Sequence, residues 1–583
     1  MLAKSFLAAL ALFIFLTCVS FYAAYTPNED DFAWILHCDH RFANVGEWFT
    51  RGSTDYHINY PGLVTPFLTP NFRPLTASFF YLASFFHAWT GYKSQLALNH
   101  VLFIVVFWAY LQFLQRFTPL PAGVRWIVGA VFLVSPVWST TYFYPSLRVH
   151  LLECACTLLA SLLLPSAAGG SLFRRVVPAA IVSAGAVFAH ELGCVAPLVV
   201  AWTHYHVSSR ARDSRKRAAG ETFLIVAISF GLYFAVRLAF FHQPAQSAYH
   251  AYQQVHAKSP AVAVLGLLMQ LFFPFDTYVS GDILLGSGGI GWSMVLFTLT
   301  IYVLLAAGLV RNWRYRSDLR MLAGCTVIAA APLVLAVIAR QMGIVLIYCL
   351  PLVYLAVESL ISVNVKLRPV GTAFLAVACA IYVGAGIQSF LNARANSVLG
   401  SRYSRSMQGV LVSAMKRGAK HVFLINDLSG HYGSLAMLQL TAKENGVTLV
   451  DPIVVNQLSL GKYDDASPSQ DTGILVECRG DVVSIQIELA AGRAFEFTLA
   501  EPHLLLTRAN ASGGRYEFPY VHRPESRTRL WRSSVEKIDF GSRLVFTAPT
   551  ACSSVGVVGF PGRGQLEPKI FLPGAQQSSQ VQN

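Results

Sequence analysis

The chain has 583 residues, 54% of them hydrophobic and 13% charged, with a mean hydropathy of +0.50. That is too apolar for a soluble protein of this length and defines an integral membrane protein. The formal net charge of +14 does not signal nucleic acid, because Lys and Arg collect in short loops between apolar runs rather than in one groove.

Residues 5–25 are long and apolar enough to cross a bilayer. Lys4 makes a thin basic flank and Tyr22-Ala23-Ala24 a poor cleavage site, so this segment reads as an uncleaved first span. Further spans are expected near 95–115, 126–144, 149–165, 176–189, 191–205, 220–241, 290–310, 321–339, 343–361 and 369–391, eleven in all. With Lys4 inside, the basic clusters at Arg116 and Arg125, Arg174 and Arg175, Arg210 to Arg217, Arg311 to Arg320, and Lys366 and Arg368 all fall on that same side. This predicts a cytoplasmic N-terminus, with everything after residue 392 outside, as in a multi-pass protein of a bacterial inner membrane. Two apolar stretches would invert the pattern if they crossed. Residues 74–89 therefore read as a helix along the outer surface, and 260–276, broken by Pro274, as a re-entrant or surface-lying segment.

The chain thus divides into a membrane domain, 1–392, with a first outer loop at 26–94, and a soluble extracytoplasmic domain, 393–583. The latter opens with an amphipathic helix at 404–419, a strand at 421–427, a helix at 431–446 and a strand at 447–455, an α/β order. Alternating strands at 474–478, 482–489 and 494–499 follow, and 544–548 with 554–560 are expected to close a small β-sandwich. The tail from Pro573 has a disordered composition. Seven cysteines lie in apolar stretches; Cys478 and Cys552 share the soluble domain, where an oxidising compartment would permit a bridge. Asn510-Ala511-Ser512 matches the N-glycosylation pattern.

Candidate chemistry concentrates just after the first span, at Glu29-Asp30-Asp31. A carboxylate at a membrane boundary, with a second acid beside it, can have its pKa raised toward general-base use; the same cluster can also be a solvated stop to the helix. Asn71-Phe72-Arg73-Pro74-Leu75 brings an Arg to the same outer side. It suits either bidentate pairing with a phosphate or an interfacial anchor.

The first span, the acid-led loop Glu29-Asp30-Asp31-Phe32 and the Phe-Arg-Pro-Leu run together resemble the GT-C superfamily of integral-membrane glycosyltransferases. That superfamily includes the protein O-mannosyltransferases and lipid A aminoarabinose transferases, which use polyprenyl-phosphate-linked sugars. Val134-Ser135-Pro136 with Tyr142 and Arg148 outside, and the His190-Glu191 turn, extend the resemblance over residues 1–391. It implies transfer of a sugar from a polyprenyl phosphate to a hydroxyl of a glycan, lipid or protein acceptor. By the same resemblance, Asp30 or Asp31 is the base, and Glu29, Arg73, Arg148, His190, Glu191 and Arg340 form the substrate side. His190 departs from the family's usual Lys. Other readings of the same chain are a flippase or exporter of a lipid-linked saccharide, or a non-catalytic membrane scaffold; no internal repeat favours transport.

His37, Cys38, Asp39 and His40 carry metal-binding residue types, but no second compact ligand pair follows, and they read as a polar helix end. A divalent cation, Mg²⁺ or Mn²⁺, at Asp30 and Asp31 is the one cofactor these residues suggest. His242, His250, His256 and Lys258 read as a polar loop, and Asn426-Asp427 as a strand-end turn.

Overall fold

The computed structural model describes residues 2–28, 30–42, 44, 73–164, 172–208, 215–240, 271–272, 289–334, 342–361, 368–425, 430–449 and nine short strands or their flanks beyond residue 452. The chain forms two units. The first comprises Met1–Ala23, Val45–Thr54 and Asn71–Ser397, and the second Ala24–Asn44, Asp55–Pro70 and Val398–Asn583.

The first unit is helical. Its elements are α1 (Leu2–Phe21), α3 (Pro74–Ser84), α4 (Lys93–Phe117), α5 (Ala122–Leu133), α6 (Arg148–Leu163) and α7 (Leu172–Ala189), with α2 (Asp30–Cys38) belonging to the second unit. They continue with α8 (Val195–Ser208), α9 (Arg215–Phe240), α10 (Gly289–Asn312), α11 (Ser317–Ala330), α12 (Gly343–Ile361) and α13 (Arg368–Lys416). Each of the eleven expected spans overlaps one of these helices. Among the described residues, seven are long and apolar enough to cross a membrane, namely α1, α4, α6 with its preceding turn, α9, α10, α12 and α13. The protein is therefore a polytopic helical membrane protein with a second, α/β unit.

Three local features refine the expected elements. The helix expected over 126–144 stops at Leu133, because Ser135 precedes Pro136 and takes extended dihedrals, φ −51° and ψ 134°. Residues up to Leu147 then fold as buried 3₁₀ and other turns, pinned where the Tyr142 hydroxyl donates to the Leu133 carbonyl at 2.7 Å. The stretch 74–89 holds α3, only 11 residues long, whose Thr76, Ala77, Phe80 and Ala83 are buried against α4 and α7, while Leu82, Phe85, Phe86 and Trp89 are exposed. Finally, the last span and the expected amphipathic helix at 404–419 are one continuous 49-residue helix, α13. The passage between units at residues 397 and 398 falls inside it. Residues 260–276 lie outside the described residues except for Leu271 and Phe272.

Aromatic rings fill the junction of α1, α4, α5 and α13: Phe21 meets Phe143 edge-on, Phe143 and Tyr142 both meet Phe390, and Trp138 sits between Phe103 and Phe132. Such pairs contribute about 0.5–1.5 kcal/mol beyond simple burial. Large apolar side chains such as Phe15, Ile104, Phe234, Leu296 and Val303 point outward on the spans, the surface a bilayer covers.

In the second unit, β1 (His421–Ile425), α14 (Gly430–Glu444), β2 (Ile453–Ser459), β3 (Ile474–Arg479), β4 (Val482–Glu488) and β5 (Arg493–Leu499) are followed by β6 (Leu505–Ala509) and β7 (Arg515–Glu517). The last strands are β8 (Arg543–Ala548), β9 (Val555–Gly559) and β10 (Lys569–Phe571). They form two sheets, ordered β10-β9-β1-β2-β5 and β3-β4-β8-β6-β7. The second sheet is antiparallel throughout. The first is mixed, with β1 parallel to both β2 and β9. Here the structure corrects the expectation that 554–560 closes the antiparallel sandwich: β9 runs beside β1, with Val557 opposite Phe423. Its Val-Gly-Val-Val core lacks polar alternation, as a central parallel strand should. Cys478, on β3, is disulfide-bonded; Cys552, the Pro573 tail, Asn510 and Asn426-Asp427 lie outside the described residues.

Candidate functional site

The acidic segment after the first span belongs to the second unit. Asp30 opens α2, and the Asp31 amide donates to the Asn28 carbonyl at 2.8 Å. The Asp31 carboxylate is fully buried, with the Tyr25 hydroxyl donating to it at 3.4 Å. The approach to α2 is held by the distal half of α13. Ser401 donates to the Thr26 carbonyl at 3.0 Å, Ser404 to Asn28 Oδ1 at 3.1 Å, and Arg405 to Thr26 Oγ1 at 3.3 Å. Gly400 makes this contact possible, since a Cβ there would stand 3.2 Å from the Asn28 amide group.

The other end of α2 is fixed to α14. Buried Asp39 takes a bidentate pair from Arg41, at 3.0 and 2.7 Å, and Arg41 also reaches Glu444 at 3.1 Å. Lys443 lies 5.2 Å over the Phe42 ring. Asp39 is thus committed to Arg41, which removes it from the His37-Cys38-Asp39-His40 metal pattern. Burial, followed in size by the nearby Lys443 charge, lowers the His37 pKa from 6.5 to about 3. The side chains of Glu29, Asp30, Glu191 and Arg340 lie outside the described residues, as do those at 242–258.

The remaining predicted residues lie in the first unit. Arg73 is half-buried at the residue preceding α3, with Pro74 at the first helical position. Arg148 is fully buried. Its guanidinium stacks 3.9 Å from the Phe80 ring centre and donates to the carbonyls of Gln95 at 2.7 Å and Pro145 at 3.2 Å. It therefore binds three segments of this unit together.

His190 faces inward as well. Its Nδ1 lies 2.9 Å from Glu153 Oε1, and His150 Nδ1 lies 3.0 Å from Glu153 Oε2, so one carboxylate spans two imidazoles. All three side chains are at least nine-tenths buried. The Arg-Val-His-Leu-Leu-Glu opening of α6 sets His150 and Glu153 one turn apart on one face. His190 arrives from the end of α7, where Thr76 donates to the Ala189 carbonyl at 2.9 Å. Sequence reasoning missed His150 and Glu153. The i, i+3 pair of polar residues in an apolar helix was the available signal.

An apolar cavity of about 1090 Å³ opens among α1, α5, α10, α12 and α13. Its charged groups, Glu358 and Arg368, lie at the end of α12 and the start of α13.

The fold and these sites define a multi-pass helical membrane protein carrying an α/β and antiparallel-β unit. No family model matches the chain, and no curated protein matches it. Among solved structures it is similar to ArnT from Cupriavidus metallidurans bound to undecaprenyl phosphate, with a TM-score of 0.46 and 12% identity over 82% of this chain and 96% of that one. The apo state of the same protein gives a TM-score of 0.44 and 13% identity over 82% and 97% of the two chains.

Proposed function

We propose that this protein is a GT-C-type membrane glycosyltransferase that moves a sugar from a polyprenyl-phosphate donor to a hydroxyl acceptor on the outer face of a bacterial inner membrane. The observation that carries this reading is the fully buried Asp31 carboxylate on α2, directly after the first span and held in place by α13. Desolvating a carboxylate costs several kcal/mol, and acids kept at a membrane boundary are functional groups as a rule.

In this reading Asp31 or Asp30 takes the proton of the acceptor hydroxyl as its oxygen attacks the anomeric carbon. The bond from that carbon to the phosphate oxygen breaks, and the polyprenyl phosphate leaves with the electron pair. Arg73 and Arg340 offset the charge gathering on the leaving phosphate. The cavity lined by α1, α5, α12 and α13 is apolar enough for part of a prenyl chain. The basic loops keep the N-terminus cytoplasmic, and the α/β unit then stands outside with the acceptor. A Mg²⁺ or Mn²⁺ ion at Asp30 and Asp31 would assist the leaving phosphate.

The test is transfer of labelled sugar from a polyprenyl-phosphate donor by purified full-length protein, comparing wild type with Asp30→Asn and Asp31→Asn. Loss of a general base lowers kcat by about 10²–10⁴-fold. Such a loss in one variant, with monodisperse protein and unchanged donor binding, supports the assignment. Full activity in both overturns it.

A further inference from the structure

We infer that His150, Glu153 and His190 form a binding site for one divalent transition-metal ion, of the zinc class, at the junction of α6 with the end of α7. The inference rests on this cluster alone and is independent of the transferase reading.

The donor set is the first argument. Two imidazole nitrogens and a carboxylate converge, with one ligand atom from each residue lying within 4.8 Å of the others. Two donors bound to the same ion at ~2.0–2.1 Å stand roughly 3 Å apart, and the two nitrogen–oxygen separations are 2.9 and 3.0 Å. Imidazole and carboxylate together suit zinc and its first-row neighbours, and three protein ligands leave a fourth position for water or a substrate oxygen.

Charge supplies the second argument. One carboxylate stands 2.9 Å from His190 Nδ1 through Oε1 and 3.0 Å from His150 Nδ1 through Oε2. A bound cation would take the place of the imidazole protons between these atoms. It also balances a carboxylate buried to 3% exposure in a helical membrane unit.

Rigidity is the third. The turn after His190 is fixed by the Gly193 amide donating to the His190 carbonyl at 2.9 Å. A Cβ on Gly193 would fall 2.0 Å from the Ala186 carbonyl oxygen, so only glycine allows this close return. On the other wall, Thr157 donates to the Glu153 carbonyl at 2.7 Å. The ligands thus hang on backbone that does not have to reorganise to receive an ion.

The test uses full-length protein in detergent, stripped with EDTA, reloaded with Zn²⁺ and dialysed, with bound metal counted by mass spectrometry. The expected result is one Zn²⁺ retained per chain, lost in both Glu153→Gln and His190→Asn. Retention of none by the wild type, or equal retention by the variants, overturns the proposal; the latter would assign the metal to others of the 16 histidines. Should the variants fail to fold, Co²⁺ added to the stripped wild type decides. Visible d–d bands of four-coordinate nitrogen and oxygen ligation support the site, and their absence identifies a purely hydrogen-bonded cluster.

Discussion

Arg148 lays its guanidinium 3.9 Å from the centre of the Phe80 ring. With its N–H groups donating to two main-chain carbonyls, the side chain joins α3, the start of α4 and the turn before α6. A planar, delocalised cation can stack and donate at once, which an ammonium cannot. Arg148→Lys is therefore expected to destabilise the protein by about 2 kcal/mol, through loss of the stacking and at least one charged hydrogen bond. Thermal unfolding of the detergent-solubilised protein measures this. A melting temperature equal to that of wild type would show that the stack contributes nothing.

The Arg41 links differ in their surroundings, and so should their energies. Asp39 is 1% exposed while Glu444 is 24% exposed. Arg41→Ala removes the guanidinium from a buried carboxylate, leaving the residue-41 amide as its donor, and should cost about 1.5–3 kcal/mol. Glu444→Ala breaks a solvent-screened pair and should cost less than about 1 kcal/mol. Chemical denaturation of the two variants side by side gives the ordering, and equal losses would refute it.

Much of the architecture was readable before any coordinates, because span-length apolar runs and basic loops are local signals. Each of the eleven expected spans overlaps a helix, whereas the stop of α5 at Leu133 depended on the restriction Pro136 places on Ser135. The limits lay in long-range pairing. Nothing near Arg148 in sequence announces Gln95, 53 residues away, or Phe80. His190 stood out as an unusual polar residue, yet its partner Glu153 lies 37 residues earlier. Likewise, β9 shows no local mark of its return to β1. The attachment of α2 to α14 through Arg41 and Glu444 spans 403 residues and is beyond any periodicity argument.

Acid should weaken the second unit through His37. Burial, with Lys443 nearby, lowers its folded pKa to about 3, against 6.5 for the reference imidazole. Between those values the unfolded chain binds a proton that the folded one refuses, so stability falls as pH drops through 6.5 toward 3. The slope contributed is at most about 1.4 kcal/mol per pH unit, and above the unfolded value it vanishes. Replacing His37 with Asn removes the titrating group and should flatten stability over this window, whatever it does to stability at neutral pH. Denaturation midpoints of both proteins, taken from neutral pH to about pH 4, test the sign; parallel curves would exclude His37 as the source.

Two glycines of α13 offer a matched test of close helix packing. At Gly386 a Cβ would lie 2.1 Å from the Val134 carbonyl oxygen, whereas at Gly384 it would meet nothing within 4 Å. Both positions are helical, so alanine carries the same propensity gain of about 0.8–1 kcal/mol at each. At Gly384 that gain stands unopposed, and Gly384→Ala should hold or raise the melting temperature. Gly386→Ala must push α13 away from the turn that follows α5, against rigid backbone rather than a flexible side chain. Overpacking of this kind costs about 1–3 kcal/mol, so the net change is destabilising or close to zero, and always below that of Gly384→Ala. Melting temperatures of the two variants in the same detergent decide the matter. Gly386→Ala at least as stable as Gly384→Ala would mean that α13 does not approach Val134 this closely in the membrane.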